Sequence, residues 1–270
     1  MKVLICIANF GTKNLTHLER MIREFRSMPY EIEIVVDTTV ALDRFEGITQ
    51  RMFDESIGRR LVFTHRPYMA ERRHEFDLFV FTENDILITH RNLEAYLRVT
   101  SFLPDGQITG FMRYETKGDA SKRLLIDAHP SFPTVKNAHR YIRGRRFFTM
   151  HNLHQACYVL TPPQLERAVR SGGYLVESHH RVKGKQFYGE LESGSSDVFT
   201  QCGFAWKVLP YDALNDLLVH HLSEKFVHMG GIRQNPGYRE PSALWRDPRA
   251  SLLGRLTDKL TFTSRGAAAC

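Results

Sequence analysis

The 270-residue chain has few cysteines, no long apolar run and no repeated or low-complexity tract. Its four cysteines (Cys6, Cys157, Cys202 and Cys270) lie far apart and form no metal-type pair. In a chain of this length that argues against a disulfide framework and leaves the thiols as small, reduced core residues. Without a long apolar run there is nothing to span a bilayer. The opening stretch Met1 to Ala8 is too briefly apolar for a signal peptide and carries no small-residue cleavage site. It reads instead as a first strand, and the expected location is the cytoplasm or the cytoplasmic surface of a membrane.

What is present looks globular. Hydrophobic residues make up 42% and charged residues 25% of the chain, which sets aside disordered and fibrous classes. The net charge is +7. Arginines gather at Arg143, Arg145 and Arg146, and again between Arg233 and Arg265. Such a surface attracts phosphates, nucleic acid or an acidic membrane, or is simply a solvated basic face.

The first half alternates between two periodicities. Lys2–Ala8, Glu31–Asp37, Arg60–Thr64 and Asp77–Phe81 read as strands. Asn14 is placed to cap a helix with Leu15, Leu18, Met21, Ile22 and Phe25 on one face, and a second helix is expected from about Asn92 to Phe102. Strands separated by helices predict an α/β fold, a mainly parallel sheet with helices on both faces. The second half is less regular. Residues 109–149, which include Asp127-Ala128-His129-Pro130, are expected to form strands and loops. Thr161-Pro162-Pro163 opens a helix, 171–196 reads as a long loop beside a site, and a helix carrying Leu214, Leu217 and Leu218 follows Pro210. No linker interrupts the chain, so one domain is expected over 1–245, with a C-terminal extension over 246–270.

Glu83-Asn84-Asp85 stands out, with apolar residues before and after it. Ligands of α/β sheets collect outside the carboxyl ends of the strands. Residues two apart on an extended chain point the same way, so Glu83 and Asp85 can converge. Two carboxylates make a hard oxygen site for Mg²⁺ or Mn²⁺ carrying a phosphorylated ligand. A solvated turn is the alternative, but acids between apolar runs are costly unless paired or metal-bound.

The segment FDLFVFTENDILI resembles the strand and acidic motif of GT-A glycosyltransferases. Further likeness lies, in that family's order, in ICIANFGTKN, EIEIVVD, NLHQACYVLTPPQL, SSDVFTQCGFAWKVLP and VHHLSEKFVH. The resemblance implies a Rossmann-like GT-A fold and transfer of a sugar from a nucleotide-sugar donor to a hydroxyl acceptor, a glycan or a lipid-linked glycan. It implies that Glu83 and Asp85 hold Mn²⁺ or Mg²⁺, with Asn84 standing where an acid is common. Ala8, Asn9, Phe10 and Asp37 would hold base and ribose, while Arg66 and Arg73 would neutralise phosphate. A late histidine, His228 ahead of His221, would complete the metal site. An inverting reaction needs a carboxylate base. Asp197 is the first candidate, followed by Glu192 and Glu190, although Asp197 could equally cap a helix starting at Val198. Inverting and retaining outcomes both stay open.

Trp245 to Phe262 sets Leu252, Leu253, Leu256 and Leu260 on one helical face, with Arg249, Arg255 and Lys259 around them. A helix of this kind lies on an acidic membrane or packs on its own domain. Two other functions compete. A nucleotidyltransferase shares the sheet and the acidic site but usually has a Gly-rich phosphate loop, where ANFGTKN has one glycine. A non-catalytic nucleic-acid-binding protein fits the charge, yet no binding motif orders the basic residues, so no specific nucleic acid is expected.

Overall fold

A computed structural model describes residues 1–116, 123–127, 139–149, 152–177, 181–182, 186–187, 189–205 and 207–228, with backbone alone at 139, 181–182, 186–187 and 228. The extension 246–270, its apolar and basic stretch, and residues 128–130 lie outside the described residues.

The chain opens with β1 (Lys2–Asn9), α1 (Leu15–Ser27), β2 (Glu31–Thr38) and β3 (Thr49–Met52), then a 3₁₀ helix over Glu55–Phe63. Next come α2 (His65–Glu71), β4 (Leu78–Glu83), β5 (Ile86–Leu87) and α3 (His90–Phe102). Four strands follow: β6 (Met112–Thr116), β7 (Arg123–Leu125), β8 (His139–Ile142) and β9 (Arg145–Thr149). After these are β10 (Cys157–Leu160), α4 (Pro162–Arg170), β11 (Arg181–Val182), β12 (Gln186–Phe187) and α5 (Glu190–Gln201). The described chain ends with β13 (Val208–Pro210), a 3₁₀ turn at Leu214–Leu217, β14 (Leu218–His221) and α6 (Lys225–His228).

The main sheet has the order β10-β4-β1-β2-β3. Its last four strands are parallel and β10 is antiparallel. This is the Rossmann-like α/β arrangement expected, and the near-continuous apolar strands have a simple cause. Val3, Ile5 and Ile7 of β1 pack with α1 in one core, while Leu4, Cys6 and Ala8 pack in the other with Leu61, Val62, Val198 and Phe199. A strand covered on both faces has no polar side to present. Because β2 and β4 flank β1 on opposite sides, the strand order reverses there. Ala8 lies in register with Asp37 on one side and Glu83 on the other. A smaller sheet, β5-β14-β6-β7, stands beside the carboxyl end of β4.

Three expectations change. Arg60–Thr64 is not a strand: it falls in and just after the 3₁₀ helix, which kinks at Gly58 (φ 52°, ψ −130°). Its run Leu61-Val62-Phe63 is too short for periodicity to separate strand from helix. Leu218 belongs to β14 rather than to a helix after Pro210. The expected loop 171–196 gives way to α5 at Glu190. ELESGSSDVFTQ is a poor helix by propensity, and tertiary packing imposes the helix. An added Cβ at Gly194 would lie 2.4 Å from Val62 Cγ2, so α5 sits against the 3₁₀ helix at a distance that only glycine allows. Asn14 precedes α1 as expected, but its side chain makes no capping bond. Thr161 and Gln164 form a capping box, with proline in the first turn of α4.

Candidate active site

A cavity of about 370 Å³ opens at the carboxyl ends of β1 and β4. Ala8, Phe10 and Asn14 line it from β1 and the loop beyond, Glu83 and Asn84 from the end of β4. Gly58, Arg59, Leu61 and Val62 close it from the 3₁₀ helix, and Leu191 from α5. Phe10 is 52% exposed, a large apolar ring presented at the mouth. The cavity sits at the strand-order reversal, where α/β sheets bind ligands.

An amide relay holds the floor. Asn14 Nδ2 donates to Asn84 Oδ1 at 2.9 Å, and Asn84 Nδ2 donates to Asn9 Oδ1 at 2.7 Å. Asn9 Nδ2 in turn donates to Thr38 Oγ1 (3.0 Å) and to the Gly11 carbonyl (3.2 Å). The relay ties together the ends of β1, β2 and β4. It also explains the amide between the two acids, because an aspartate at position 84 has no N–H to give Asn9.

Behind Asn84 the acids separate. Asp85 Oδ2 lies 3.3 Å from His221 Nε2, and His221 Nδ1 lies 2.6 Å from Glu115 Oε1. Glu115 is buried and also accepts from the backbone N–H groups of Phe226 and Val227. Burial works against charge on His221, but its bonds to Asp85 and Glu115 outweigh this and raise its pKa. Burial pushes Asp85 up, yet its bonds to His221 and Ser223 prevail, so the carboxyl lies below its ordinary value. Glu83 goes the other way: burial, then the charge of Asp85, push it up to about 8. Glu83 faces the cavity, and its buried Oε1 has no partner. The Arg113 charge partly offsets this, although that guanidinium is bound to Asp127 at 2.7 Å.

Glu192 lies in the first turn of α5, one residue from Leu191 of the cavity wall, and its charge also raises Glu83. His154 braces this turn, with Nδ1 at 3.3 Å from Ser195 Oγ and a bond to the Glu192 backbone.

The structure brings Ala8, Phe10, Glu83 and Asn84 onto the cavity, with Asn9 just beneath and Asp85 beside it. It holds the other candidates elsewhere. Asp197 is 1% exposed in the interior of α5, caps nothing, and lies 3.4 Å from the guanidinium of Arg66. Arg66 is equally buried and donates to four carbonyls, of Tyr174, Val176, Ser193 and Gly194. Neither side chain lines the cavity. Arg73 follows α2, pairs with Glu166 at 3.0 Å, and precedes β4, whose far end carries Glu83. Asp37 is 2% exposed, accepts from Thr64 and lies 3.2 Å from Arg51, so it does not reach the cavity. The His228 side chain lies outside the described residues.

Residues not singled out from the sequence complete the site. Glu115 gave no signal, being one acid in an irregular strand. Arg59 and Leu191 reach the cavity only because the Gly58 kink and the α5 packing aim them there. His221, named after His228 from the sequence, is the ring that turns inward: it is 3% exposed, while His220 stacks on Tyr114 at 4.8 Å.

Among the described residues no three Asp, Glu, His or Cys side chains converge as a ready metal cluster, and no helix is long and apolar enough to cross a membrane. No protein-family model and no curated protein matches the chain. Among solved structures it is similar to S. aureus TarS, at 10% identity and a TM-score of 0.38, covering 82% of this chain and 35% of that one. TarS 1–349 in complex with UDP-GlcNAc is 9% identical with a TM-score of 0.36, covering 82% and 56%. TarS 1–349 in complex with UDP is 10% identical with a TM-score of 0.40, covering 90% and 68%. The chain thus spans from about a third to two thirds of the TarS chains it is similar to.

Proposed function

We propose that the chain is a divalent-metal-dependent glycosyltransferase, moving a sugar from a nucleotide-sugar donor to a hydroxyl on a glycan or lipid-linked glycan. One observation carries the reading: a cavity at the strand-order reversal ends on the buried carboxyl of Glu83, whose Oε1 has no partner. Asp85, His221 and Glu115 make a carboxylate–imidazole–carboxylate line, with the orphaned Glu83 Oε1 nearby.

Mn²⁺ or Mg²⁺ would take His221 Nε2 from Ser223 Oγ, now 2.9 Å away. Glu115 on Nδ1 would be the outer carboxylate that orients the imidazole. Asp85 and His221 would hold the ion, with Glu83 turned toward it. The ion would supply charge stabilisation for a departing nucleoside diphosphate.

The chain's own residues have distinct parts. Phe10, Leu61, Val62 and Leu191 offer apolar walls for the donor. Arg59 is the cation on the cavity wall and would face its phosphates. Glu192, in the turn braced by His154, takes the role of base and receives the acceptor hydroxyl proton. Asp197, held by Arg66, keeps no part in the proton transfer.

The test is thermal stability against UDP-, GDP-, CMP- and dTDP-sugars, with and without Mn²⁺. At a hundred times its dissociation constant a donor adds about 2.7 kcal/mol. One nucleotide class should stabilise the wild type only with metal, and Asp85→Ala or His221→Ala should abolish the shift. Glu192→Gln should keep the shift and lose about 10²–10⁴-fold in turnover, the usual range for a general base. If no sugar nucleotide moves the midpoint, the donor site is refuted.

A further inference from the structure

Asn14 stands where a cap for α1 belongs, yet its side chain lines the cavity and makes no capping bond. What it presents there is decided at the far end of the amide relay.

The two ends of a side-chain amide are told apart by their partners. Asn9 Nδ2 meets the Gly11 carbonyl, which can only accept. It also meets Thr38 Oγ1, whose one proton goes to the Val40 carbonyl at 2.9 Å, so that oxygen accepts as well. Both contacts require N–H on that side of Asn9 and leave Oδ1 on the other. Asn84 must then donate through Nδ2 and accept through Oδ1, and Asn14 must donate through Nδ2. A single flipped amide would set oxygen against oxygen. That is costly here, where Asn9 is 0% and Asn84 7% exposed.

With Nδ2 turned to Asn84, Asn14 Oδ1 is the polar atom left at the cavity wall. Among the described residues no donor reaches it. The loop that leads to it is tied down: Gly11, at φ 64°, donates to Thr39 Oγ1 at 3.0 Å. An acceptor of fixed polarity discriminates, because a ligand without a matching O–H or N–H leaves it unpaired.

We propose that Asn14 is a specificity residue, whose Oδ1 accepts a hydrogen bond from a hydroxyl of the bound donor. The inference rests on the donor reading above. Asn84, the partner of Asn14, stands between Glu83 and Asp85, where the diphosphate would lie. In a nucleotide-sugar the ribose and the transferred sugar adjoin the diphosphate, and both carry hydroxyls.

The experiment is calorimetry with Mn²⁺ on the full chain, using UDP, GDP, CDP and dTDP, their 2′,3′-dideoxy forms and their glucose conjugates. Asn14→Ala removes acceptor and donor together. Asn14→Asp keeps an acceptor but cannot donate to Asn84. For a ribose contact, the wild type should prefer a nucleotide to its dideoxy form by about 3–10-fold, the scale of one neutral hydrogen bond. Asn14→Ala should lose that preference and Asn14→Asp should keep it. For a contact to the transferred sugar, the same pattern should appear between the glucose conjugate and its nucleoside diphosphate. A role confined to the relay would weaken every probe equally and in both variants, since both lose the N–H to Asn84. That result, or unchanged binding in Asn14→Ala, overturns the proposal and leaves the donor cavity standing. If the wild type binds no probe, the donor reading itself falls, and this inference with it.

Discussion

Two buried ion-pair centres in this protein look alike in a list of contacts and differ in what they leave undone. At Arg66 and Asp197 both side chains are 1% exposed, and the guanidinium reaches four carbonyls as well as the carboxylate. Only its Nε lacks a partner. Charge is balanced, and neither side chain lines the cavity at Glu83. At Asp85, His221 and Glu115 the imidazole, Ser223 and two backbone N–H groups meet two carboxylates, and it is Glu83 beside them that stays unmet, pushed up to about 8 by burial and Asp85. Asp85 is 15% exposed, and the cavity begins next to it. A saturated buried pair joins elements, here α2, residues 174–176 and α5. An under-compensated one is where a further ligand can be bound, since its charge is still to be met.

The sharpest way to break this contrast is to remove one partner from each centre. Arg66→Met should cost about 3–5 kcal/mol in denaturant unfolding, because it strands a buried carboxylate. Adding Asp197→Leu should recover most of that loss, since a well-packed apolar pair can replace a buried ion pair. Asp85→Asn should cost only about 1 kcal/mol, the scale of one hydrogen bond, while ending stabilisation by Mn²⁺. Equal losses at the two centres would erase the distinction.

Lys207 sharpens it from a different side. It is 1% exposed and donates to the Phe111 and Leu153 carbonyls and to Gln155, yet burial lowers its pKa to about 8. The unfolded lysine keeps its proton to a higher pH, so between about pH 8 and 10.5 the unfolded state binds more protons and folding gains. Relative to Lys207→Met, wild-type stability should therefore rise by up to about 3 kcal/mol over that window. A flat difference would mean the ammonium is not penalised. A further effect is expected at Gly194, where Gly194→Ala should cost about 1–3 kcal/mol by overpacking. It should also lower turnover by displacing Glu192, and unchanged turnover would separate Glu192 from catalysis.

Much of the scaffold was legible because it follows from local rules. β1, β2 and β4 are short apolar runs rich in β-branched residues, and α1 shows its buried stripe directly. The acids at 83 and 85 were visible because charge between apolar runs needs a reason. Their different environments were not, since alternation on a strand says nothing of what stands opposite. His221 comes from β14 and Glu115 from β6, more than a hundred residues apart in one case and about thirty from Asp85 in the other. The Arg66–Asp197 pair was invisible for the same cause: an isolated Arg and an isolated Asp carry no mark of mutual burial.

By itself the sequence determined the α/β class, the strand that ends on Glu83-Asn84-Asp85, and the basic run at 143–146, because periodicity and local charge are short-range properties. Only the tertiary structure decided which charges are paired inside the scaffold and which lie at the cavity. It chose His221 as the inward histidine, turned a glycine- and serine-rich stretch into α5, and set Glu192 rather than Asp197 beside the cavity. The physical reason is that the state of a buried ionisable group depends on what packs around it, and those neighbours come from distant segments that no local pattern encodes.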